Sequence, residues 1–268
     1  MKIPILIALA SVFAANAGAQ NDAYPWKAAV ASVDITPTEF GWMAGYASRS
    51  GPAEGVRQPL FAKALAIEDA DGGRQVIVTL DLIGVPKPLR IDIEKTVAES
   101  HGLKPEQLLM NASHTHSGPE IRLFRPNGGK GEPRVGYNKI PEEDQPLRVG
   151  QIQSYNAELR KKIGAAIAEA IEGLEPAKLS WSRARCGFAM NRRTPMNDDF
   201  RNFPNPDGPV DHDVPVLQVR DAKNRLVGVL FGYACHATTL SDLQLHGDWP
   251  GFAQHYFEAT VWKTFWIF

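Results

Sequence analysis

The chain alternates between short strand-like runs and amphipathic helical segments, and this alternation limits its fold more than any other feature. Residues 60–69 and 75–82 are apolar runs separated by Asp71-Gly72-Gly73, a turn sequence typical of a β-hairpin. Residues 89–102 and 152–174 instead carry apolar side chains at helical spacing. Further strand-like runs occupy residues 28–37, 107–113, 178–185, 214–221 and 225–234. The pattern predicts an α/β fold, a layered sandwich in which helices flank a mixed β-sheet core.

The N-terminus has the features of an export signal. Met1-Lys2 is followed by an apolar run from Ile3 to Ala15 and then by Ala17-Gly18-Ala19, an A-x-A cleavage pattern. The apolar run is short for a membrane span, although a tethered N-terminal helix is the alternative. We therefore expect a signal peptide over residues 1–19 and a secreted or periplasmic mature protein. Residues 20–268 would then form one domain.

Composition excludes one class of partner and leaves one covalent question open. The formal net charge is −1, which gives no electrostatic attraction to nucleic acid, so no nucleic-acid partner is expected. Cys186 and Cys235 could form a disulfide in an oxidising compartment. A domain of this size does not need one.

Two of the seven histidines, His114 and His116, directly follow the strand-like run 107–113. On an extended segment, side chains two residues apart point to the same side. Two imidazoles on one side suit a metal ion together with a second role, such as holding a water or polarising a carbonyl. The alternative is a pair of ordinary histidines at a loop edge, hydrogen-bonded to the neighbouring serine and threonine side chains.

A second apolar run leads to another histidine. Residues 231–235 are followed by His236, and His246 and Asp248 come shortly afterwards in "LHGDWPGFAQ". Two strands that each lead into a histidine and then small, hydroxyl-bearing residues indicate a shared site. Small neighbours would allow a substrate or a metal ion to approach the backbone closely.

These segments together resemble one protein family. "NASHTHSGP" followed by "YACHATTL…GDWPGFA" is similar to the neutral/alkaline (non-lysosomal) ceramidase family, N-terminal catalytic domain. Further matches occur in the same order: "ASVDITP", "MAGYA", "VIVTLDL", and "MNRRTP" against the family's N-R-S-P. The resemblance runs from about Ala28 to about Gln254.

The resemblance implies a role for each candidate site residue. His114 and His236 would bind zinc, the implied cofactor. His116 and Arg192 would be the catalytic-site residues: His116 beside the substrate amide on the oxyanion side, and Arg192 orienting the substrate's polar group. Zinc held by imidazoles lowers the pKa of a bound water and polarises a carbonyl oxygen, which suits amide hydrolysis at neutral pH.

The implied activity is that of a secreted zinc-dependent amidohydrolase. It would cleave the N-acyl amide bond of ceramide-like lipids to a sphingoid base and a fatty acid. The implied partner is a small lipid-like amide, which could involve a peripheral encounter with a membrane surface. The loop at residues 41–51 carries Trp42 and Tyr46 and could shape an entrance for the acyl chain.

The sequence departs from the family pattern in one respect that bears on the metal site. Catalytic zinc normally takes three protein ligands, and the glutamate and tyrosine that the family supplies later have no counterpart here. Asp81, His246 or Asp248 could complete a local site. The aromatic-rich residues 258–268 also differ from the family, so we expect the domain to be incomplete at its C-terminus.

Two other functions are compatible with the same residues. One is a different metal-dependent hydrolase, acting on esters or phosphoesters. The other is a secreted binding protein that has the pocket without catalysis.

Overall fold

The structure is a computed structural model that describes residues 24–136, 140–260 and 265–267. The predicted signal peptide, residues 1–19, lies outside the described residues. The described strands are β1 (Trp26–Asp34), β2 (Gly55–Val56), β3 (Phe61–Glu68), β4 (Arg74–Leu80), β5 (Leu108–Ala112), β6 (Glu175–Arg185), β7 (Thr194–Met196), β8 (Asp199–Arg201), β9 (Asp213–Asp221), β10 (Leu226–Phe231), β11 (Gln244–Leu245) and β12 (Phe265–Ile267). The described α-helices are α1 (Lys87–His101), α2 (Pro126–Gly129), α3 (Gln145–Glu172) and α4 (Asp248–Thr260).

Eight strands form one mixed sheet in the order β12-β10-β9-β6-β1-β3-β4-β5. The β4–β5 and β10–β12 pairs are parallel, and the other neighbouring pairs are antiparallel. Two small sheets, β2 with β11 and β7 with β8, lie outside it. The predicted fold class, a mixed β-sheet flanked by helices, is confirmed.

Helices α1 and α3 cover one face of this sheet and bury its main core. Alternate residues of β3 and β4, such as Ala64 and Val78, pack there against Ile93 of α1 and Ile163 of α3. The opposite face of the sheet has a smaller apolar cluster around Leu65 and Val219. Sheet and helices thus form layers, because each element has an apolar side to remove from water.

The hairpin and the first helix form as the sequence predicts. β3 and β4 pair in antiparallel register from Ala62–Leu80 to Glu68–Arg74, and Asp69 accepts hydrogen bonds from the turn. Helix α1 ends at Gly102, whose φ of 64° is the left-handed conformation that glycine adopts without a steric penalty. This order fixes β5 beside β4, and β5 is the strand that leads to His114.

Several boundaries differ from the predicted ones. Helix α3 begins at Gln145, upstream of the predicted residue 152, because Pro146 is compatible with a first helical turn. Strand β10 ends at Phe231, so His236 lies in the irregular segment after the strand and not at its end. Cys186 and Cys235 are free thiols in the structure. No helix among the described residues is both long and apolar enough to cross a membrane.

Candidate active site

Three imidazoles from two distant segments meet at the end of the sheet. The ring centroid of His236 lies 4.9 Å from that of His114 and 4.6 Å from that of His116. The centroids of His114 and His116 are 5.1 Å apart. One nitrogen from each ring lies within 4.8 Å of the others. Among the described residues, these three form the one group of histidine, cysteine and carboxylate side chains close enough to share a metal ion.

The first segment reaches this point through a bend that the sequence does not predict. His114 has a φ of 58°, so residues 114–116 are not an extended strand and the simple alternation of sides does not apply. Nδ1 of His114 lies 2.6 Å from the carbonyl oxygen of Ile83. This carbonyl fixes the ring orientation and leaves Nε2 directed at the cluster, the arrangement that backbone carbonyls give to metal-binding histidines.

His116 packs directly against the loop at residues 41–51. A Cβ atom added to Gly45 would lie 2.3 Å from Cγ of His116, and Gly45 has a φ of 101°. The ring of Tyr46 meets His116 edge-on, with centroids 4.9 Å apart. Arg49 donates a hydrogen bond of 2.7 Å to the carbonyl oxygen of His116. The loop therefore has a structural role at the site. Glycine is needed at position 45 because any larger side chain would collide with the ring of His116.

Burial lowers the pKa of two of the clustered imidazoles, His116 and His236. Burial is the largest cause that lowers the pKa of His116, to about 4, and the nearby His236 and His114 lower it further. Burial and the adjacent Arg192 also lower the pKa of His236. Neutral imidazole is the form that binds metal ions, so the site is prepared for a cation at neutral pH.

Arg192 lies on the outer side of His236. Its Nη2 contacts Nδ1 of His236, and because a guanidinium can only donate, this ring nitrogen is the acceptor. The ring proton of neutral His236 then resides on Nε2, which is 2.9 Å from Nε2 of His116. The structure thus brings together all four predicted site residues, although their roles stay predictions.

A third segment links the two histidine loops. His246 is fully buried; its backbone N–H donates to the carbonyl of Ser117 (3.1 Å), and its own carbonyl accepts from Oγ1 of Thr115 (2.9 Å). His116 in turn donates from its backbone to the carbonyl of Ala237 (3.2 Å). His246 therefore fastens the first loop from behind and does not face the metal group.

Asp248 fastens the second loop. Its fully buried carboxylate accepts hydrogen bonds from the backbone and hydroxyl of Thr239, the backbone of Leu240 and the backbone of Trp249, at 2.7–3.1 Å. Asp248 has a φ of 55°, and it is the first residue of α4. Both carboxylate oxygens are occupied by these hydrogen bonds. Asp248 therefore positions the segment after His236 and is not part of the three-histidine cluster.

Asp81 is likewise buried behind the site. Its carboxylate accepts a hydrogen bond from the backbone of Phe61 (2.9 Å) and lies 3.5 Å from Nε2 of Gln254. Burial raises the pKa of Asp81 to about 6. None of Asp81, His246 and Asp248 belongs to the three-histidine group. The sequence could not locate them, because only the tertiary structure shows which way their side chains point.

Known proteins share this arrangement of elements. The sequence model described as neutral/alkaline non-lysosomal ceramidase, N-terminal, matches residues 26–124. The neutral ceramidase of Pseudomonas aeruginosa is 25% identical over 254 residues, covering 91% of this chain and 35% of that protein. The resemblance to the ceramidase family is confirmed. Neutral ceramidase A of Dictyostelium discoideum is 23% identical over 230 residues, covering 81% of this chain and 29% of that protein.

Solved ceramidase structures have the same fold. The crystal structure of the neutral ceramidase from Pseudomonas aeruginosa superposes with a TM-score of 0.70 at 24% identity, over 91% of this chain and 38% of that one. A ceramidase complexed with C2 gives a TM-score of 0.69 at 22% identity, over 91% and 37% of the two chains. At this identity the likeness establishes the fold.

The chain spans about a third of the length of the curated ceramidases it matches. The family match at residues 26–124 includes His114 and His116 and ends before Arg192 and His236. The second half of the site therefore depends on the longer sequence matches and on the geometry described above.

Proposed function

We propose that this chain is a metal-dependent hydrolase of lipid-like amides, with zinc as the ion and His114 and His236 as ligands. The observation that carries the proposal is the convergence of three imidazoles from two segments far apart in the chain. The donor set fits zinc, because imidazole nitrogen is a preferred ligand and His114 is oriented by a backbone carbonyl. When bound, zinc supplies a water of lowered pKa and polarises the amide carbonyl.

The chain's own residues would divide the remaining work. His116 is neutral, and its ring lies on the cluster side where the carbonyl oxygen of an amide would approach. Nε2 of His116 accepts from His236 in the structure. With His236 on a metal ion, this nitrogen could instead carry the ring proton and donate to the oxygen on which negative charge develops. Gly45 and Tyr46 hold the ring in place, so the donor is preorganised.

Arg192 would orient the polar part of the substrate. If Nε2 of His236 held the metal ion, the ring proton would reside on Nδ1, and Arg192 could no longer donate there. The guanidinium N–H would then be available to an acceptor on the substrate. Metal binding and the release of Arg192 for a substrate would thus be linked through the tautomer of His236.

The relatives' names suggest the substrate class. They are named neutral ceramidases, and one matching structure is a ceramidase complexed with C2. We propose N-acyl amides of ceramide type as the starting class to test, cleaved to an amine and a fatty acid. Export through the signal peptide at residues 1–19 and an encounter with membrane surfaces belong to the same proposal. Finding the mature N-terminus near Gln20 in the exported fraction would test the export.

The decisive experiment removes one proposed ligand at a time. In His114→Ala and in His236→Ala we expect bound zinc, measured by elemental analysis, to be lost, and hydrolysis of N-dodecanoyl sphingosine to fall by about 10³-fold or more. His255→Ala removes an exposed histidine of α4 outside the cluster and is the matched control. Unchanged zinc content in His114→Ala would refute the ligand assignment.

Substrate comparison tests the reaction type. The zinc-loaded protein should cleave the N-acyl amide faster than matched carboxylic-ester and phosphoester substrates. A preference for phosphoesters would favour a different metal-dependent hydrolase. Zinc binding without hydrolysis of any of the three would favour a binding protein.

A further inference from the structure

A polar cavity adjoins the candidate site on the side of Arg192. It has a volume of about 420 Å³ and is lined by Arg192, Arg193, Asp199, Phe200, Asn202 and His236. His236 belongs to both the cavity and the histidine cluster, so a molecule with its amide at the histidines would place neighbouring groups in this cavity. The volume is in the range of small-molecule sites.

Arg193 is held in place by neighbouring backbone and asparagine side chains. Nη1 of Arg193 donates to the carbonyl of Arg192 (3.2 Å) and to Oδ1 of Asn202 (3.4 Å). The backbone N–H of Arg193 donates to Oδ1 of Asn191 (2.9 Å), and its carbonyl accepts from Nδ2 of Asn205 (2.9 Å). A guanidinium whose main chain is fixed on both sides loses less entropy on binding a ligand.

The cavity has an excess of positive charge. Neither Arg192 nor Arg193 forms an ion pair with a carboxylate among the described residues. Asp199 is the one acidic side chain in the lining, and it accepts a hydrogen bond from the backbone of Phe200 (2.7 Å). Two guanidinium groups and one carboxylate leave a formal excess of one positive charge. One singly charged anionic group would balance it.

The two cations are consecutive in the chain, in Asn191-Arg192-Arg193-Thr194-Pro195. Arg193 is the one held by Asn202. Guanidinium groups bind carboxylates through paired N–H donors, a recognition that a serine side chain cannot provide.

We propose that this cavity binds a carboxylate on the amine side of the substrate, so that the preferred substrates are N-acyl amino acids in place of neutral ceramides. The proposal rests on the proposed amide hydrolysis and specifies its substrate class. Arg193 is the specificity-determining residue. Arg192, when it is released from His236, provides the second guanidinium.

Two matched amides test the proposal. N-dodecanoylglycine and N-dodecanoylethanolamine share the acyl chain and the amide, and differ in having a carboxylate or a hydroxymethyl group. The zinc-loaded wild type should favour the glycine amide by about tenfold or more in kcat/KM, the range expected for hydrogen bonds to a charged group. In Arg193→Ser, KM for the glycine amide should rise, and the ratio of this KM to the KM for the ethanolamide should increase about tenfold.

Arg193→Lys and Arg201→Ser complete the design. Lysine keeps the charge without the paired donors, so it should restore part of the preference. Arg201 is the last residue of β8, in the β7–β8 hairpin that follows Arg193, and it does not line the cavity. Arg201→Ser should therefore retain the wild-type preference for the glycine amide. The proposal is overturned if the wild type prefers the ethanolamide. It is also overturned if Arg193→Ser weakens both substrates equally.

A binding measurement separates this proposal from the proposed function. Calorimetric titration of the zinc-loaded protein with N-dodecanoylglycine should give a Kd that Arg193→Ser weakens about tenfold. If neither amide is hydrolysed while this dependence holds, the hydrolase proposal fails and the carboxylate site stands. If the amides are hydrolysed but the Kd does not depend on Arg193, the carboxylate site is refuted and the hydrolase proposal stands.

Discussion

The loop of His114 and His116 and the hairpin beside the arginine cavity are fastened in different ways. The loop of His114 and His116 is locked from behind, since Thr115 and Ser117 are fully buried and hydrogen-bonded to His246. The β7–β8 hairpin that follows the two arginines is exposed, and the segments on its two sides are joined through the side chains of Asn191 and Asn205. Substitutions in the first segment should therefore affect stability and metal binding, and those in the second should affect substrate recognition.

The largest effect is expected where the buried loop meets Gly45. Gly45→Ala places a Cβ atom 2.3 Å from Cγ of His116 and forces alanine to a φ of 101°. Overpacking and backbone strain should together lower the free energy of unfolding by about 2–4 kcal/mol. Urea denaturation measures this, and zinc content should fall as His116 is displaced.

Gly72→Ala is the matched control for Gly45. Gly72 also has a positive φ, 81°, but a Cβ there would meet nothing within 4 Å. It should cost only the backbone strain, about 1 kcal/mol. Equal destabilisation by the two variants would show that the contact with His116 contributes nothing.

The next effect concerns the carboxylate behind His236. Asp248→Asn replaces an oxygen that accepts from Thr239 or Leu240 by an amide group that can only donate. We expect a loss of about 1–3 kcal/mol in stability and a 10–100-fold loss of zinc affinity, typical of residues that orient metal ligands. Calorimetric zinc titration and urea denaturation measure the two quantities.

Asp199→Asn provides the comparison from the exposed hairpin. Its carboxylate is exposed and accepts one hydrogen bond, from the backbone of Phe200. Zinc affinity should be unchanged in this variant. If Asp199→Asn and Asp248→Asn weakened zinc binding alike, the distinction between the two segments would be lost.

The buried loop should also give the metal-free protein a pH-dependent stability. The pKa of His116 is about 4 in the folded protein and 6.5 in its unperturbed state. Between these values the unfolded chain takes up the proton more readily, so stability that is present above pH 6.5 is lost as the pH falls toward 4. Urea midpoints in the presence of a chelator should decrease over this range.

Asp81 changes the stability with pH in the opposite direction, so its contribution has to be distinguished from that of His116. Its pKa is raised to about 6 from 3.8, so the folded protein takes up this proton first and gains stability as the pH falls. His116→Gln removes the contribution of His116 and leaves Asp81 in place. The variant should lose less stability than the wild type between pH 7.5 and 5, and an identical loss would contradict the assignment.

The same contrast explains which features the sequence could predict. Period-two and helical patterns are local, so the β3–β4 hairpin, α1 with Gly102, and the sheet with flanking helices could all be predicted from it. That two strands lead toward one histidine cluster could be proposed from the repeated pattern of an apolar run followed by histidine. These features depend on residues close together in the chain.

The missing features depend on contacts between distant residues. The left-handed bend at His114, the approach of Gly45 to His116 and the burial of Asp248 under the 239–240 turn have no local signature beyond a glycine or a short polar motif. The predicted end of β10 is wrong because the segment from Gly232 to Cys235 remains apolar after the strand stops. These residues are irregular and partly or fully exposed, so an apolar run does not by itself specify a strand.

The smallest effect is expected on the exposed hairpin away from the cavity. Met196 of β7 is 43% exposed and does not line the arginine cavity. Met196→Ser should change the free energy of unfolding by no more than about 0.5 kcal/mol, the usual range for surface substitutions. Zinc content and the glycine-to-ethanolamide preference should both be unchanged. A loss of zinc in this variant would show that the hairpin supports the histidine cluster mechanically, because a side chain that touches neither site could then act only through the backbone that joins them.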